Sequence, residues 1–442
     1  MKYRITMGTK EYSLSKIKNF IFIIYLFFVI YLPPLLKDGM IDRVILFASV
    51  CYVLFNINLM IKILSVKENK RMFGLTFVLF VYSLLISMVN SVVDNSNSDF
   101  YGRPIGTFIF GIYFFTIAGA MVIYCIKNKV DTESFLKMLV FVGLIQAVFI
   151  FASFFSPSIR TELLNLISQN ASDDSIAASL YYGHYTALRR NYGFADTLYD
   201  RFGYTCSIMC AISFNFGLYK NKWLYYIASL IFIFCTLVNA RSGVILCVLA
   251  MIASMLIFFV HNNNVNKMIK LIGFVVLAIF VFIYGLSILQ QYSPETYEWV
   301  NAGLGVFLGD SSQASSEAGM GFYLTSDYWI LPHDFFGSVF GTARDPYHQI
   351  GQSTDNGYIE QVWYIGIIGL IISLKLFIGS IIRVRTKCPS NMEKSVIYAM
   401  LVIILVYTVK LLPFKNIGGT YIILGYCFLL NSISAFSSTQ KN

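Results

Sequence analysis

Charged residues are scarce in this chain. Only 13% of its 442 residues are charged and 57% are hydrophobic, and the mean hydropathy is +0.67. A soluble protein of this length carries about 25% charged residues. The composition therefore excludes an ordinary soluble protein and predicts an all-α polytopic membrane protein.

Motifs for nucleotides and metals are also missing. The sequence has no P-loop, no dinucleotide-binding fingerprint and no H-E-x-x-H motif, which disfavours an ATP-driven reaction. Cys206 and Cys210 lie one helical turn apart, and we interpret them as helix packing rather than as metal ligands. We therefore expect neither a metal nor another cofactor. No internal repeat or inverted symmetry of the kind found in many transporters is visible.

About twelve apolar runs are long enough to span a bilayer. Every second connection between them is short and basic, which places both termini and those connections in the cytoplasm. The net charge of +10 is then a consequence of the positive-inside rule and not a sign of nucleic-acid binding. Pro33, Pro34 and Lys37 stand at the end of the first run, where a cleaved signal would have a cleavage site, so we expect this run to remain as an anchor. The runs lie at 19–36, 43–65, 72–93, 105–126, 136–155, 202–219, 223–240, 242–260, 268–289, 357–382, 395–412 and 417–436.

Two long connections face outward in this topology, at 156–201 and 290–356. We interpret residues 1–442 as a single integral membrane domain that carries these two loops. Neither loop has the composition of a linker, and long loops of this kind usually carry function.

The first outer loop is rich in arginine. Arg189, Arg190 and Arg201 fall within thirteen residues, on the membrane face where positive charge is normally depleted. The guanidinium group is planar and permanently charged, and it binds phosphate oxygens in pairs. The alternative is that these arginines pair with Asp196 and Asp200 or with lipid headgroups.

A second arginine site is the short turn Asn239–Gly243. Arg241 lies in this outward turn close to the membrane surface, and the turn contains no acidic residue. Arg241 is therefore a candidate for binding an anion. The alternative is an interfacial arginine that only reaches toward the headgroups.

Carboxylates appear where the second outer loop ends. Asp355 precedes an apolar run and Glu360 lies about one helical turn later, inside it. A carboxylate within a membrane helix is a functional candidate. Capping of the helix is the alternative role for Asp355. His333 and His348 are alternative general bases, although loop histidines without a role are more common.

Together these residues suit a substrate that has a diphosphate at the membrane surface and a sugar outside it. A sugar linked to a lipid diphosphate carries its own activation and needs no nucleotide. Loop aromatics could stack on the sugar faces.

Three stretches resemble the bacterial O-antigen polymerase family (Wzy-type), which belongs to a superfamily with the O-antigen ligases. They are the run from Arg190 through Gly193 to Phe202, the turn Asn239–Gly243, and Thr354–Leu370 with its Asp-Asn-Gly-Tyr and Gly-Ile-Ile-Gly segments. Two departures stand out. Ligases have a histidine where this chain has Ser353-Thr354-Asp355, and residues 316–320 lack the arginine common in the family, so that Arg344 is the nearest substitute.

The resemblance implies a polymerase of polysaccharide repeat units, for O-antigen or capsule, in the bacterial cytoplasmic membrane. The donor would be an oligosaccharide on undecaprenyl diphosphate, and the acceptor the non-reducing end of another lipid-linked unit. Both substrates lie in the lipid bilayer, and a chain-length regulator is a possible protein partner. The catalytic residues implied are Arg190, Arg241, Asp355 and Glu360, and the substrate-binding residues are Arg189, Arg201, Arg344, Tyr192 and Tyr358.

Three other functions are compatible with the same residues. An O-antigen ligase or O-oligosaccharyltransferase would use the same donor. A flippase for lipid-linked oligosaccharides would line a membrane cavity with charge, whereas the charges here concentrate in the outer loops. A purely structural membrane protein would not need unpaired outward arginines.

Overall fold

The fold is that of a computed structural model, which describes residues 2–37, 40–94, 102–170, 190–191, 193–195, 199–261, 265–292, 294, 296–298, 300–301, 329–343, 356–410 and 417–439. These residues are almost entirely helical and contain no β-strand. The helices are α1 (Lys2–Tyr31), α2 (Met40–Leu54), α3 (Ile57–Ser65), α4 (Lys67–Asp94), α5 (Gly102–Lys127), α6 (Thr132–Phe155), α7 (Pro157–Asn170), α8 (Tyr199–Lys220), α9 (Trp223–Leu237), α10 (Arg241–His261), α11 (Val265–Tyr292), α12 (Phe335–Phe340), α13 (Gly357–Val384), α14 (Asn391–Lys410) and α15 (Ile417–Thr439).

Seven of the described helices are long and apolar enough to cross a membrane: α4, α5, α6, α10, α13, α14 and α15. Helices α2 and α3 meet at an angle of 89° and give an eighth if they form one broken span. The prediction of an α-helical polytopic membrane protein is thus confirmed. The count of twelve spans is not confirmed and stays a prediction, as do the bounds of the two outer loops.

Helix α8 occupies the centre of the bundle. It packs against α6, α9, α10, α14 and α15, and every residue from Phe202 to Leu218 is buried. Because protein surrounds this helix, it can carry polar side chains that bond inside the bundle. Asn215 Nδ2, for example, donates to the Ala211 carbonyl and to Ser254 Oγ on α10, each at 2.8 Å. Such residues lower the hydropathy of α8, which is therefore not among the seven apolar helices.

Helix α13 is broken at Gly366, which has φ 65° and ψ −179°. The Gln361 side chain donates to Ser373 Oγ at 2.5 Å, although twelve residues of straight helix would separate the two by about 18 Å. Tyr358 and Phe377 also line one small cavity. The first arm of α13, residues 357–365, therefore folds back beside the second arm, residues 367–384. The apolar run 357–382 gives no sign of this break in the sequence.

A short segment of the second predicted loop closes the break. Thr342 donates to the Trp363 carbonyl through its amide at 2.7 Å and through its hydroxyl at 2.8 Å. The Ala343 amide donates to the Tyr364 carbonyl at 3.1 Å. The break would otherwise leave these carbonyls without the amides of the next turn, and an unsatisfied carbonyl is costly inside a membrane.

The same segment packs against α4. Tyr82 donates to the Phe340 carbonyl at 3.1 Å, and Asn90 Nδ2 lies 3.4 Å from the Gly341 carbonyl. Tyr82 lies eight residues before the end of the apolar span at Asn90, which is about 12 Å of helix. Helix α12 therefore packs beside α4 before that span ends, and its Phe335 and Phe336 side chains are exposed. Apolar side chains in this position suit contact with lipid.

We expect Gly366→Ala to destabilise the protein. An alanine would have to adopt a backbone conformation reserved for glycine, and its Cβ would lie 2.2 Å from the Val339 carbonyl oxygen. The expected loss in the free energy of unfolding is about 2 kcal/mol or more. Thermal unfolding of the purified protein in detergent measures it.

The matched control is Gly74→Ala in α4, where a Cβ would meet no atom within 4 Å. Alanine in an open helical position leaves the stability unchanged or raises it slightly. Equal unfolding temperatures for the two variants would show that the break does not depend on Gly366.

Candidate functional site

Two of the arginine-bearing segments predicted from the sequence meet in the structure. The Asn191 amide donates to the Val238 carbonyl at 3.0 Å, and Asn239 Nδ2 donates to the Asn191 carbonyl at 3.1 Å. The segment that contains Arg190 is thereby fixed to the turn that contains Arg241. Because both asparagines are buried, water does not compete for these bonds.

The Arg190 segment is also anchored to the end of α6. Asn191 accepts a hydrogen bond from Ser153 and donates to the Ile150 carbonyl at 3.2 Å. Gly193 has φ 61°, and a Cβ there would lie 2.7 Å from both Gln146 Nε2 and Ile150 Cγ1. Only glycine allows this close approach, which explains Gly193 in the predicted motif.

The turn that contains Arg241 also contacts α8. A Cβ on Gly243 would lie 2.7 Å from the Gly203 Cα and 2.6 Å from Thr236 Cγ2. The two glycines let the first turns of α10 and α8 touch. Arg241 is the first residue of α10 and is described by its backbone alone. Arg201 lies in the first turn of α8 and is half-buried.

The third motif forms the start of α13. Asn356 Oδ1 accepts hydrogen bonds from the amides of Tyr358 at 3.1 Å and Ile359 at 3.3 Å. Asn356 therefore caps the helix, which is the alternative role that the sequence suggests for Asp355. Asn356 is fully buried, and Glu360, one turn into the first arm, is only 3% exposed.

A chain of contacts joins this third motif to the arginine-bearing segments. Tyr358 donates its hydroxyl proton to the Leu405 carbonyl on α14 at 2.9 Å. Two residues on, Tyr407 stacks on Tyr204 of α8, with 4.1 Å between ring centroids. Tyr204 lies one turn after Arg201. The starts of α8, α10 and α13 therefore belong to one end of the bundle, which we call the arginine end.

A fourth helix start lies at the arginine end. A Cβ on Gly418, at the start of α15, would lie 2.4 Å from the Ile30 carbonyl and 3.4 Å from Thr205 Oγ1 on α8. The N-terminus of a helix carries a partial positive charge from its free amides. Four such termini, together with Arg190 and Arg201, suit this end to bind an anion. This convergence of helix starts is not predicted from the sequence.

The remaining predicted site residues lie outside the described residues. They are Arg189, Tyr192, Arg344 and Asp355, and their roles stay predictions. His333 is described and exposed, whereas His348 is not described. Sequence reasoning missed Asn191 and Asn239, which position the arginine-bearing segments. Both asparagines stand beside the arginines in the motifs, but an asparagine in a turn is too common to be assigned a role from sequence.

We expect Asn191→Ala to loosen the arginine end. The change removes the side-chain bonds to Ser153 and Ile150 and leaves buried polar groups without them. The free energy of unfolding should fall by about 1–3 kcal/mol. Asn165→Ala on α7 is the control because the Asn165 side chain is exposed. Thermal unfolding compares the two, and equal stability would show that Asn191 does not hold the junction.

Comparison with known proteins gives this site no further assignment. No model of a known protein family matches the chain, and a comparison with curated proteins finds no match either. The function has to be inferred from the residues at the arginine end.

Proposed function

We propose that this protein is a glycosyltransferase of the bacterial cytoplasmic membrane that polymerises polysaccharide repeat units. Its donor is a glycan on undecaprenyl diphosphate, and its acceptor is the non-reducing end of a second lipid-linked unit. The observation that carries the proposal is the junction of Asn191 with Val238 and Asn239. This junction brings Arg190 and Arg241, which are 51 positions apart in the numbering, to one end of the membrane bundle.

The arginine end supplies the charge that the reaction needs. The acceptor hydroxyl oxygen bonds to the anomeric carbon of the donor, while the bond from that carbon to the diphosphate oxygen breaks. Negative charge grows on the leaving diphosphate as this happens. Arg190 and Arg241 stabilise that charge in the proposed mechanism, and fixed cations in a site that excludes water can supply the largest catalytic term. The partial positive charges of the helix termini beside them would also stabilise the leaving diphosphate.

Other residues of the motifs position the two glycans. Arg201 lies one turn from Tyr204 in the first turn of α8 and would contact a substrate phosphate. Arg189 and Arg344 are assigned the same role by their motifs. Tyr192 and Tyr358 would bind sugar, since aromatic rings pack against the apolar faces of sugar rings.

A carboxylate takes the proton of the acceptor hydroxyl. Asp355 is the first candidate and Glu360 the second. Glu360 lies on the first arm of α13, which Tyr358 ties to α14 and Asn356 caps. This arm is held at both ends, because the clamp by Thr342 fixes its far end. A base on such an arm would be preorganised.

One observation favours a different class of function. Broken helices within membranes occur at the substrate sites of many transporters, and α13 is broken between Gln361 and Ser373. A flippase for lipid-linked oligosaccharides is therefore the second candidate. An O-antigen ligase or O-oligosaccharyltransferase would share the donor with the polymerase and differ in its acceptor.

We expect Arg241→Ala to reduce polymerisation by about 10²–10³-fold, the effect of removing one contact that stabilises the transition state. A strain that lacks the gene is complemented with the wild type or the variant, and its surface polysaccharide is separated on a gel. Arg190→Ala should behave like Arg241→Ala. Arg43→Ala is the matched control, because Arg43 is exposed near the start of α2 and has no proposed role. A loss below about tenfold in Arg241→Ala excludes its assigned role.

The deletion strain itself separates the three candidate functions. A polymerase defect leaves single repeat units on the acceptor in place of a ladder. A ligase defect leaves the acceptor bare while long lipid-linked polymer accumulates. If unpolymerised units accumulate on the cytoplasmic side, the flippase is correct and the assigned catalytic roles are wrong.

A further inference from the structure

A second cluster of arginines lies at the opposite end of α4 and α13 from the arginine end. Here α4 begins at Lys67, and the second arm of α13 ends at Val384, followed by a 3₁₀ turn, Arg385–Lys387. Lys387 Nζ and Glu68 Oε2 form an ion pair at 2.7 Å between the two elements. We call the group of Glu68, Arg71, Arg383 and Lys387 the basic cluster.

Cations outnumber carboxylates in the basic cluster. Glu68 is the only acidic member, and its carboxylate is already bonded to Lys387. Arg71 lies three residues after Glu68 and Arg383 four residues before Lys387, so each is on the same helix face as its partner. The ion pair between Lys387 and Glu68 therefore brings Arg71 and Arg383, each one turn further into its helix, to the same level of the two elements. The two arginines therefore flank an ion pair in which a lysine has already engaged the one carboxylate of the basic cluster.

The Arg383 guanidinium is held below the end of its helix. Its Nη2 atom lies 3.3 Å from the position that a Cβ on Gly379 would occupy. The side chain thus runs back along α13 by about one turn, toward the interior of the apolar span, and Gly379 leaves the space for it. Arg383 is half-buried in this position, whereas Arg71 is exposed. An arginine at the edge of the hydrocarbon is costly unless an anion accompanies it.

The first turn of α4, which carries Glu68 and Arg71, is fixed by a buried asparagine. Asn69, which lies between Glu68 and Arg71 in the sequence, is fully buried. Its side chain donates to the Ile63 carbonyl and to Ser432 Oγ, each at 3.0 Å, and accepts from Asn431 Nδ2 at 3.0 Å. These bonds tie the first turn of α4 to α3 and α15. The position of Arg71 is therefore preorganised, which lowers the entropy lost when a ligand binds.

We propose that Arg71 and Arg383 together bind the phosphate of an anionic phospholipid from the surrounding bilayer. Two guanidinium forks at the same level of neighbouring elements can each pair with oxygens of one phosphate. The depth of Arg383 favours a lipid phosphate over a free one, because a lipid delivers its phosphate at the edge of the hydrocarbon. This proposal does not depend on the function proposed for the arginine end.

The test measures lipid binding to the purified protein in detergent by native mass spectrometry. The probes are phosphatidylglycerol, phosphatidylcholine and inorganic phosphate, added separately. We expect phosphatidylglycerol to bind most tightly to the wild type. Arg71→Gln and Arg383→Gln should each weaken that binding about tenfold, the usual effect of losing one charge-assisted hydrogen bond. Arg43→Gln, which removes an exposed arginine at the other end of the bundle, should leave it unchanged.

Three results would overturn the proposal. Equal binding of phosphatidylcholine would show that the cluster does not select anionic lipid, and equal binding of inorganic phosphate would identify a site for free phosphate instead. Unchanged lipid binding in both arginine variants would place the lipid elsewhere. Arg71→Gln keeps the test decisive if Arg383→Gln fails to fold, because the Arg71 side chain is exposed and not needed for packing.

Discussion

The hydrogen bonds from Thr342 and Ala343 to the carbonyls of Trp363 and Tyr364 are the interaction on which the candidate site depends most. A helix that breaks in an apolar environment must find new donors for the carbonyls it frees. Here two consecutive amides and one hydroxyl from a distant segment supply them. Gly341 and Gly366 allow the approach, since a Cβ on either would lie within 2.5 Å of the other segment's backbone.

This clamp determines where the third motif lies. Without it, α13 would continue straight and Gln361 would be about 18 Å from Ser373. With it, the first arm lies beside the second, Tyr358 reaches α14, and Glu360 is buried within the bundle. The Trp363 indole adds a further tie, because its Nε1 donates to the Ile330 carbonyl at 2.8 Å. The second predicted loop is thus, in its described part, a structural support for the site.

The sequence predicts the helical class well and the tertiary contacts poorly. Each of the twelve apolar runs lies mostly on described helix, although the first extends past the end of α1 at Tyr31, because long apolar segments leave the backbone few other solutions. The break at Gly366 is not predicted, since glycines also occur within unbroken membrane helices. The N-cap residue of α13 is likewise not predicted from the sequence. Asp355 and Asn356 are both good capping residues, and only the fold selects Asn356.

The candidate site could be predicted in composition but not in arrangement. Arg190 and Arg241 are recognisable from charge and position along the chain. Their proximity depends on Asn191, Asn239 and the contact of Gly203 with Gly243. These are close contacts between segments distant in sequence, and apolar periodicity carries no information about them.

The two ends of the bundle differ in how helix dipoles act on their cations. Arg383 lies in the last turn of α13, where the partial negative charge of the helix end stabilises it, and Glu68 offsets the unfavourable place of Arg71 at the start of α4. Arg201 and Arg241 lie at helix starts, where a cation costs about 0.3–1 kcal/mol each. First-turn carboxylates are absent from α10. Placing cations where the backbone is already positive destabilises the unliganded protein, and an anion bound at the arginine end would relieve that cost.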